Sequence, residues 1–101
     1  MVEEGPKDIR GSGVDMKIGL SSYFEKRVKR LSAEEKTALD EKTEWFVVNA
    51  SDPRLKVHAL GGKLKGYFSF SITYKKRVKF RFTGKDEVIF VDVGPHEEVY
   101  R

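Results

Sequence analysis

The sequence predicts a small α+β domain in which two N-terminal helices pack on one face of a mainly antiparallel sheet of four or five strands. Apolar residues recur at helical spacing up to about residue 48, and beyond it they alternate with polar residues as in strands. The chain has 101 residues, of which 39% are hydrophobic, and this suits one domain with one modest core. The expected element order is β-α-α-β-β-β.

Residues 1–15 are predicted to form a flexible extension, and residues 16–101 a single folded domain. The extension mixes charges with glycine and proline and shows no apolar period. Met16 is the expected first residue of the domain, and Lys17 to Leu20 resembles a short strand.

Serine-based caps predict where the two helices begin. Ser21 or Ser22 can cap the first helix. Ser32 with Glu35 forms a capping-box pattern and predicts a second helix that ends at residues 49–53. The positions expected to face the sheet are Phe24, Val28 and Leu31 in the first helix, and Leu39, Thr43, Phe46 and Val47 in the second.

Alternating side chains predict the first strands that follow the helices. A short strand is expected at residues 56–60, a turn at Gly61 and Gly62, and a long strand at residues 65–74. One face of the long strand is predicted to enter the core through Phe68, Phe70, Ile72 and Tyr74. The other face carries Tyr67, Ser69, Ser71 and Thr73.

Two further strands complete the predicted sheet. After a turn at residues 75–76, residues 77–82 place Val78, Phe80 and Phe82 toward the core and Arg77, Lys79 and Arg81 on the opposite face. Residues 88–93 are nearly all apolar, which suits a central strand that stops at Gly94 and Pro95. Because two helices cannot cover both faces of this sheet, the face with serines and cations is expected to be open.

Charge is strongly segregated along the chain. From Pro53 to Lys85 there is no aspartate or glutamate, yet this stretch carries ten of the twenty lysines and arginines. The flanking segments are acidic on balance, so the net charge of +4 understates how basic this part is. An anion is the expected partner of such a surface.

Composition also excludes several kinds of site. The chain has no cysteine, which excludes a disulfide scaffold, a thiolate zinc site and a cysteine nucleophile. No apolar run exceeds four residues, so neither a signal peptide nor a membrane span is expected. The sequence therefore predicts a soluble, cytoplasmic protein without a metal or cofactor.

Four segments together resemble the RelE/YafQ superfamily of bacterial and archaeal toxins from type II toxin-antitoxin systems. These segments are residues 55–60 (LKVHAL), residues 62–67 (GKLKGY), Arg77 before an apolar strand, and residues 93–100 (VGPHEEVY). In element order the resemblance extends from about residue 16 to residue 101. It implies a ribonuclease fold that cuts messenger RNA on the ribosome, needs no cofactor, and is held inactive by a cognate antitoxin protein.

The resemblance also implies roles for particular residues. Metal-free RNA cleavage needs a base for the 2′-hydroxyl, a cation for the phosphate and an acid for the departing oxygen. His96 matches the general acid and His58 the candidate base, and they are the only histidines. Arg77 matches the arginine placed against the scissile phosphate. Tyr100 matches a C-terminal aromatic that contacts the substrate base.

Other basic residues are expected to hold RNA. Lys63 and Lys65 match the basic segment before the long strand, and either is an alternative base if its pKa is lowered by its neighbours. Lys79 and Arg81 are assigned to the field that attracts phosphate. The chain departs from the YafQ-like pattern at Ser71, where that branch has a second histidine.

Simpler interpretations compete with each of these roles. His58 can be a polar residue of an edge strand, His96 a loop histidine, and Tyr100 a packing residue at the chain end. Two other functions also fit the predicted fold: a ParE-like toxin that inhibits DNA gyrase without nuclease activity, and a non-catalytic RNA-binding module. Loss of activity in His96→Ala is expected of the nuclease alone.

Overall fold

The computed structural model describes residues 15–101, and this part of the chain folds into a five-stranded sheet with three helices. The predicted α+β class is confirmed, and the elements follow the predicted order of a strand, two helices and then strands, with a further short helix after the last strand. All but the last residue of the predicted extension lies outside the described residues. In chain order the elements are β1 (Lys17–Leu20), α1 (Ser22–Val28), α2 (Ala33–Val48), β2 (His58–Ala59), β3 (Phe68–Ser71), β4 (Lys76–Gly84), β5 (Glu87–Pro95) and α3 (His96–Val99).

The strands lie in the order β1-β5-β4-β3-β2. The chain from β2 to β5 runs as an antiparallel meander, and β1 joins it as a parallel partner of β5. The apolar strand β5 is thus flanked on both sides, as its composition predicts. It continues through Gly94 to Pro95, two residues beyond the predicted end.

Both predicted N-terminal caps are present. The Ser21 hydroxyl accepts the Phe24 amide at 3.0 Å and donates to the Val91 carbonyl at 3.2 Å, so it also ties α1 to β5. At α2, Ser32 Oγ accepts the Glu35 amide at 3.1 Å, and the Glu35 carboxylate accepts the Ser32 amide at 2.9 Å. This reciprocal capping box satisfies two amides at the start of the helix.

A cluster of phenylalanine rings fixes both helices to the same face of the sheet. The Phe46 ring of α2 lies 5.1 Å from the Phe70 ring, 4.9 Å from Phe80 and 5.6 Å from Phe90, on three adjacent strands. Phe24 of α1 meets Phe90 edge-on at 5.5 Å. Because these rings are almost fully buried, their burial is the main force that holds α1 and α2 on the sheet.

The strands at the basic end of the sheet are shorter than predicted. The first is reduced to His58–Ala59 and the long one to Phe68–Ser71. Gly66 has a φ of 97°, which only glycine adopts readily. The predicted strand is therefore not extended at this residue, and β3 begins only after it. After β3 the amides of Ile72 and Thr73 both donate to the Lys76 carbonyl, which closes a hairpin turn.

Three side chains differ from the prediction in their burial: two that were expected in the core are exposed, and one that was expected to face solvent is buried. Tyr74 is 99% exposed because the hairpin turn carries it off the strand. Phe82 is 44% exposed at the far end of β4, next to an irregularity in the ladder. Ser69, predicted to face solvent, is fully buried, because the chain end folds over it.

The third helix, α3, is absent from the sequence-based prediction. It spans a single turn and follows Pro95 directly. Such a short element has no apolar period to detect. Among residues 15–101 no helix has the length and hydropathy needed to cross a membrane.

Candidate active site

The strand register places several predicted site residues on one face of the sheet, opposite the phenylalanine cluster. His58 stands opposite Ser69, Ser69 opposite Lys79, and Lys79 opposite Asp92. Directly opposed residues point to the same face with their Cβ atoms about 5 Å apart. Arg77 lies two residues before Lys79 on the same strand and shares this face.

Arg77 is held in place by neutral oxygen atoms. Its Nε donates to Ser69 Oγ at 2.9 Å. Its Nη2 donates to the Lys56 carbonyl at 2.7 Å and to the Ser69 carbonyl at 3.3 Å. Within the described part of the chain Nη1 has no hydrogen-bond partner, so one edge of the guanidinium stays available for an anion.

Lys56 contributes through its main chain, which its sequence position does not reveal. It has a φ of 52°, a left-handed conformation that is uncommon for a residue with a side chain. This conformation ends the 3₁₀ turn Pro53–Leu55, and the Lys56 carbonyl then accepts from Arg77. Backbone strain of this kind is more frequent at functional sites than elsewhere.

Ser69 links Arg77 to the end of the chain. Besides accepting from Arg77, its hydroxyl shares a 2.7 Å hydrogen bond with the Tyr100 hydroxyl. The Tyr100 ring in turn lies 4.0 Å from the His96 ring, at an angle of 44°. These contacts form one continuous chain of side chains: His96, Tyr100, Ser69 and Arg77, which we call the contact chain.

His58 lies beside the contact chain without joining it. It is exposed on β2, and the register puts it directly opposite Ser69. His96 is also exposed, whereas Arg77 and Tyr100 are half-buried. The two imidazoles are therefore open to solvent, as groups that exchange protons with a substrate need to be.

The four predicted RNA-binding residues differ in their surroundings and in their position relative to Arg77. The Lys79 amine lies 5.5 Å from the centre of the Tyr67 ring, a cation-π contact that holds it on the face. Arg81 is exposed four residues from Arg77 on β4, about 13 Å along the strand. Lys63 and Lys65 are exposed at the 3₁₀ turn Gly62–Leu64.

Two residues of this face were not singled out from the sequence. Ser69 was predicted only as a solvent-facing polar residue. Asp92 is a nearly buried carboxylate whose only sequence signal is its place inside an apolar strand. Burial raises the pKa of Asp92 above its ordinary value, against the opposing effects of Arg27, the Val93 amide and Lys79. The roles of the predicted site residues stay predictions.

No group of three or more histidine, cysteine, aspartate or glutamate side chains within residues 15–101 is arranged to hold a metal ion. The chemistry that this face can supply from its own residues is that of two imidazoles, a guanidinium, a phenol and several amines. The guanidinium suits a phosphate, and the imidazoles suit proton transfer near neutral pH.

No protein-family model matches the chain, and no curated protein matches it significantly in sequence. Solved structures do match. The YoeB/ParE toxin from Agrobacterium tumefaciens superposes with a TM-score of 0.69 at 19% identity, over 80% of this chain and 99% of that one. YafQ from E. coli superposes with a TM-score of 0.68 at 21% identity, over 85% and 99%.

A structure of the E. coli DinJ-YafQ toxin-antitoxin complex also matches, with a TM-score of 0.63 at 21% identity, over 87% of this chain and all of that one. At identities this low the likeness is one of fold. The chain has the RelE/YafQ toxin fold over almost the whole length of these proteins, as the sequence predicts.

Proposed function

We propose that this protein is the toxin of a type II toxin-antitoxin system and that it cuts messenger RNA on the ribosome by metal-free acid-base chemistry. The RelE/YafQ toxin fold supports the first part. The observation that carries the second is the contact chain, which joins His96 and Tyr100 to Arg77 through Ser69. A fold can host many functions, so the case for catalysis depends on these side chains.

Arg77 is the phosphate-binding residue in this proposal. Three hydrogen bonds to neutral oxygens fix its guanidinium without cancelling its charge. A preorganised cation of this kind stabilises the extra negative charge that a phosphodiester gains in the transition state. Lys79 and Arg81 on the same strand, with Lys63 and Lys65 at the nearby turn, attract and hold the rest of the RNA backbone.

His96 is the general acid that protonates the departing 5′-oxygen. Its ring is exposed, and contact with the Tyr100 ring fixes its orientation. Tyr100 is half-buried and fixed through its hydroxyl, so its ring also offers a rigid surface for a substrate base. Proton transfer depends on geometry first and on pKa second.

His58 is the base that takes the proton of the 2′-hydroxyl. Its position opposite Ser69 puts it on the same face as Arg77, on the far side of Ser69 from β4. A base and an acid on either side of a bound phosphate is the arrangement that in-line cleavage requires. Lys63 and Lys65 are the alternative bases, and His58→Gln compared with Lys65→Gln distinguishes them by the size of the rate loss.

The proposed partners are a cognate antitoxin protein, messenger RNA and the ribosome. YafQ, a protein with this fold, is found in a toxin-antitoxin complex with DinJ. The acid-free stretch between residues 53 and 85 supplies cations on the open face of the sheet, and an acidic antitoxin segment would be attracted to it. Such a segment would compete directly with RNA.

The test is a translation reaction with a defined messenger, with and without ribosomes, mapped by primer extension for new 5′ ends. Wild type is expected to give ribosome-dependent cuts, and His96→Ala to lose them while still binding ribosomes. Lys36→Ala, an exposed cation on α2, is the matched control and should cut normally. Absence of cuts from folded wild-type protein would overturn the nuclease proposal, and a DNA gyrase supercoiling assay would then test the ParE-like alternative.

A further inference from the structure

The helix that carries the proposed general acid is too short to be stable by itself. It spans His96–Val99, a single turn, and Pro95 at its start provides no side-chain cap. Helices of this length are strongly unfavourable in isolation, because nucleation fixes several residues for one hydrogen bond. The orientation of α3 must therefore be set by contacts with the rest of the molecule.

Arg27 provides one of these contacts from a helix 69 positions earlier in the chain than His96. Its Nη2 forms an ion pair and hydrogen bond with Glu98 of α3. Its Nη1 lies 3.4 Å from the Asp92 carboxylate on β5 and donates to the Tyr23 hydroxyl at 2.9 Å. Arg27 thus connects α1, β5 and α3 at one point.

Two of the three charged side chains of this network are largely removed from solvent. The side chain of Arg27 is 12% exposed and that of Asp92 7%, while Glu98 is 42% exposed. An ion pair in such a place attracts more strongly than one on the surface, and loss of one partner leaves a charge that water reaches poorly. The Arg27–Asp92 contact is therefore costly to break, unlike a typical surface ion pair, whereas the Arg27–Glu98 contact is open to water on the Glu98 side.

Gly94 is an independent sign that the fold reserves space for this guanidinium. A Cβ built at Gly94 would overlap Arg27 Nη2 and lie 3.3 Å from Arg27 Cζ. The backbone of β5 just before α3 is therefore in close contact with Arg27, and a side chain at this position would displace it.

The contacts of α3 act on opposite sides of the helix. Residues 96 and 100 are four apart and lie on the same side of a helical turn, whereas residue 98 is about 200° around the axis from each. Tyr100 is bound to Ser69 on one side, and Glu98 to Arg27 on the other. Val99 is fully buried, and this keeps the helical turn packed against the rest of the domain.

We propose that Arg27 is a positioning residue for the reaction: by holding Glu98 and Asp92 together, it fixes the rotation of α3 and so aims His96 and Tyr100 at the RNA. The inference rests on the proposed nuclease function for its catalytic consequence. Its structural content, that the ion pair orients the His96 ring, is independent of that function.

The principal test is Glu98→Gln, which removes the charge with almost no change of shape and leaves Arg27 paired with Asp92. Glu97→Gln is the matched control, because Glu97 lies on the same turn, is exposed, and has no ion pair within residues 15–101. Both variants are expected to fold, since neither leaves a buried charge without a partner.

The first readout is the proton NMR signal of the His96 ring in the free protein. At 4.0 Å from the Tyr100 ring this signal carries a ring-current shift, and the chain has only one other histidine, His58, as an internal reference. Glu98→Gln should move the His96 signals toward those of an unstructured histidine and leave His58 in place. Glu97→Gln should move neither.

The second readout separates an effect on the cleavage rate, which depends on the orientation of His96, from an effect on ribosome affinity. At saturating ribosomes Glu98→Gln and Arg27→Lys should reduce the single-turnover cleavage rate about 10- to 100-fold, with less than a twofold change in the half-saturating ribosome concentration. Arg27→Lys is included because a lysine keeps the charge but cannot contact both carboxylates at once. A purely structural role would lower the melting temperature without this separation of the two parameters.

The outcomes distinguish the two proposals. Unchanged His96 signals in a folded Glu98→Gln protein would overturn the positioning role, whatever the activity. Shifted signals together with slower cleavage support it. Shifted signals in a protein whose wild type cuts no messenger would support the structural role of Arg27 and refute the proposed nuclease function separately.

Discussion

Removal of the Ser69 hydroxyl should weaken both stability and cleavage, because this one group joins Arg77 to Tyr100. Ser69→Ala deletes the bond to Arg77 Nε and the bond to the Tyr100 hydroxyl. A hydrogen bond from a charged donor contributes about 1.5–3 kcal/mol and a neutral one about 0.5–1.5 kcal/mol. Since Arg77 and Tyr100 are half-buried, water replaces part of this, and the expected loss in unfolding free energy is about 2 kcal/mol.

Urea unfolding measures that loss, and a double-mutant cycle with Tyr100→Phe assigns it. Tyr100→Phe removes only the hydroxyl, so the two single changes break the same bond from opposite ends. Their effects should fall short of additive by about 1 kcal/mol. For a domain of this size a loss of 2 kcal/mol lowers the melting temperature by roughly 10 °C.

Cleavage provides the second half of this test. Ser69→Ala leaves Arg77 with its carbonyl partners only, so the guanidinium gains freedom and the rate at saturating ribosomes should fall by about tenfold or more. Fully additive stability effects, or a Ser69→Ala protein that cuts at the wild-type rate, would refute the view that Ser69 connects these two residues.

Three further changes test electrostatics and packing in other parts of the domain. Glu35→Gln should lower the unfolding free energy by about 0.2–1 kcal/mol at pH 7, because the Glu35 carboxylate caps the Ser32 amide and pairs with Lys76 at 2.9 Å. These contacts lower the pKa of Glu35, so urea unfolding of wild type should show the contribution lost as the pH falls through that lowered pKa. As the pH rises through the raised pKa of Asp92, wild type should lose stability relative to Asp92→Asn, because burial makes ionisation of this carboxyl less favourable in the folded state than in the unfolded one. Urea unfolding at several pH values checks the slope. Gly94→Ala should lower the unfolding free energy by about 1–3 kcal/mol, because the added Cβ displaces the Arg27 guanidinium. Gly61→Ala is the control, because its added Cβ meets nothing within 4 Å, and urea unfolding should show a far smaller loss.

The elements with strong local signals are the ones that the sequence predicts well. The capping serines and the apolar spacing of α1 and α2 act within a few residues, and the structure confirms both helices and both caps. The alternation of Phe70, Val78 and Phe80 likewise predicts the buried face correctly. In each case the pattern and the physical cause lie in the same short segment.

Strand ends and buried polar groups depend on contacts that the sequence does not display. Tyr74 continues the alternation of β3, yet the hydrogen bonds of the hairpin turn remove it from the sheet. Ser69 looks like any solvent-facing serine until Tyr100, 31 residues later, covers it. The same holds for Arg27, whose carboxylate partners lie 65 and 71 residues further along the chain.

The partners of the cations separate those that pair with carboxylates from the one proposed to bind phosphate. Within residues 15–101, carboxylates pair with Arg27, Lys42, Arg54 and Lys76. Arg77 is also held in place, but only by a hydroxyl and two carbonyls. Neutral partners orient a guanidinium without neutralising it, so Arg77 keeps its full charge on a half-buried, rigid support, where attraction to an anion is stronger than at the open surface. A cation held in this way costs stability unless an anion arrives, and this is the physical reason to expect the phosphate at Arg77 and not at the more numerous lysines around it.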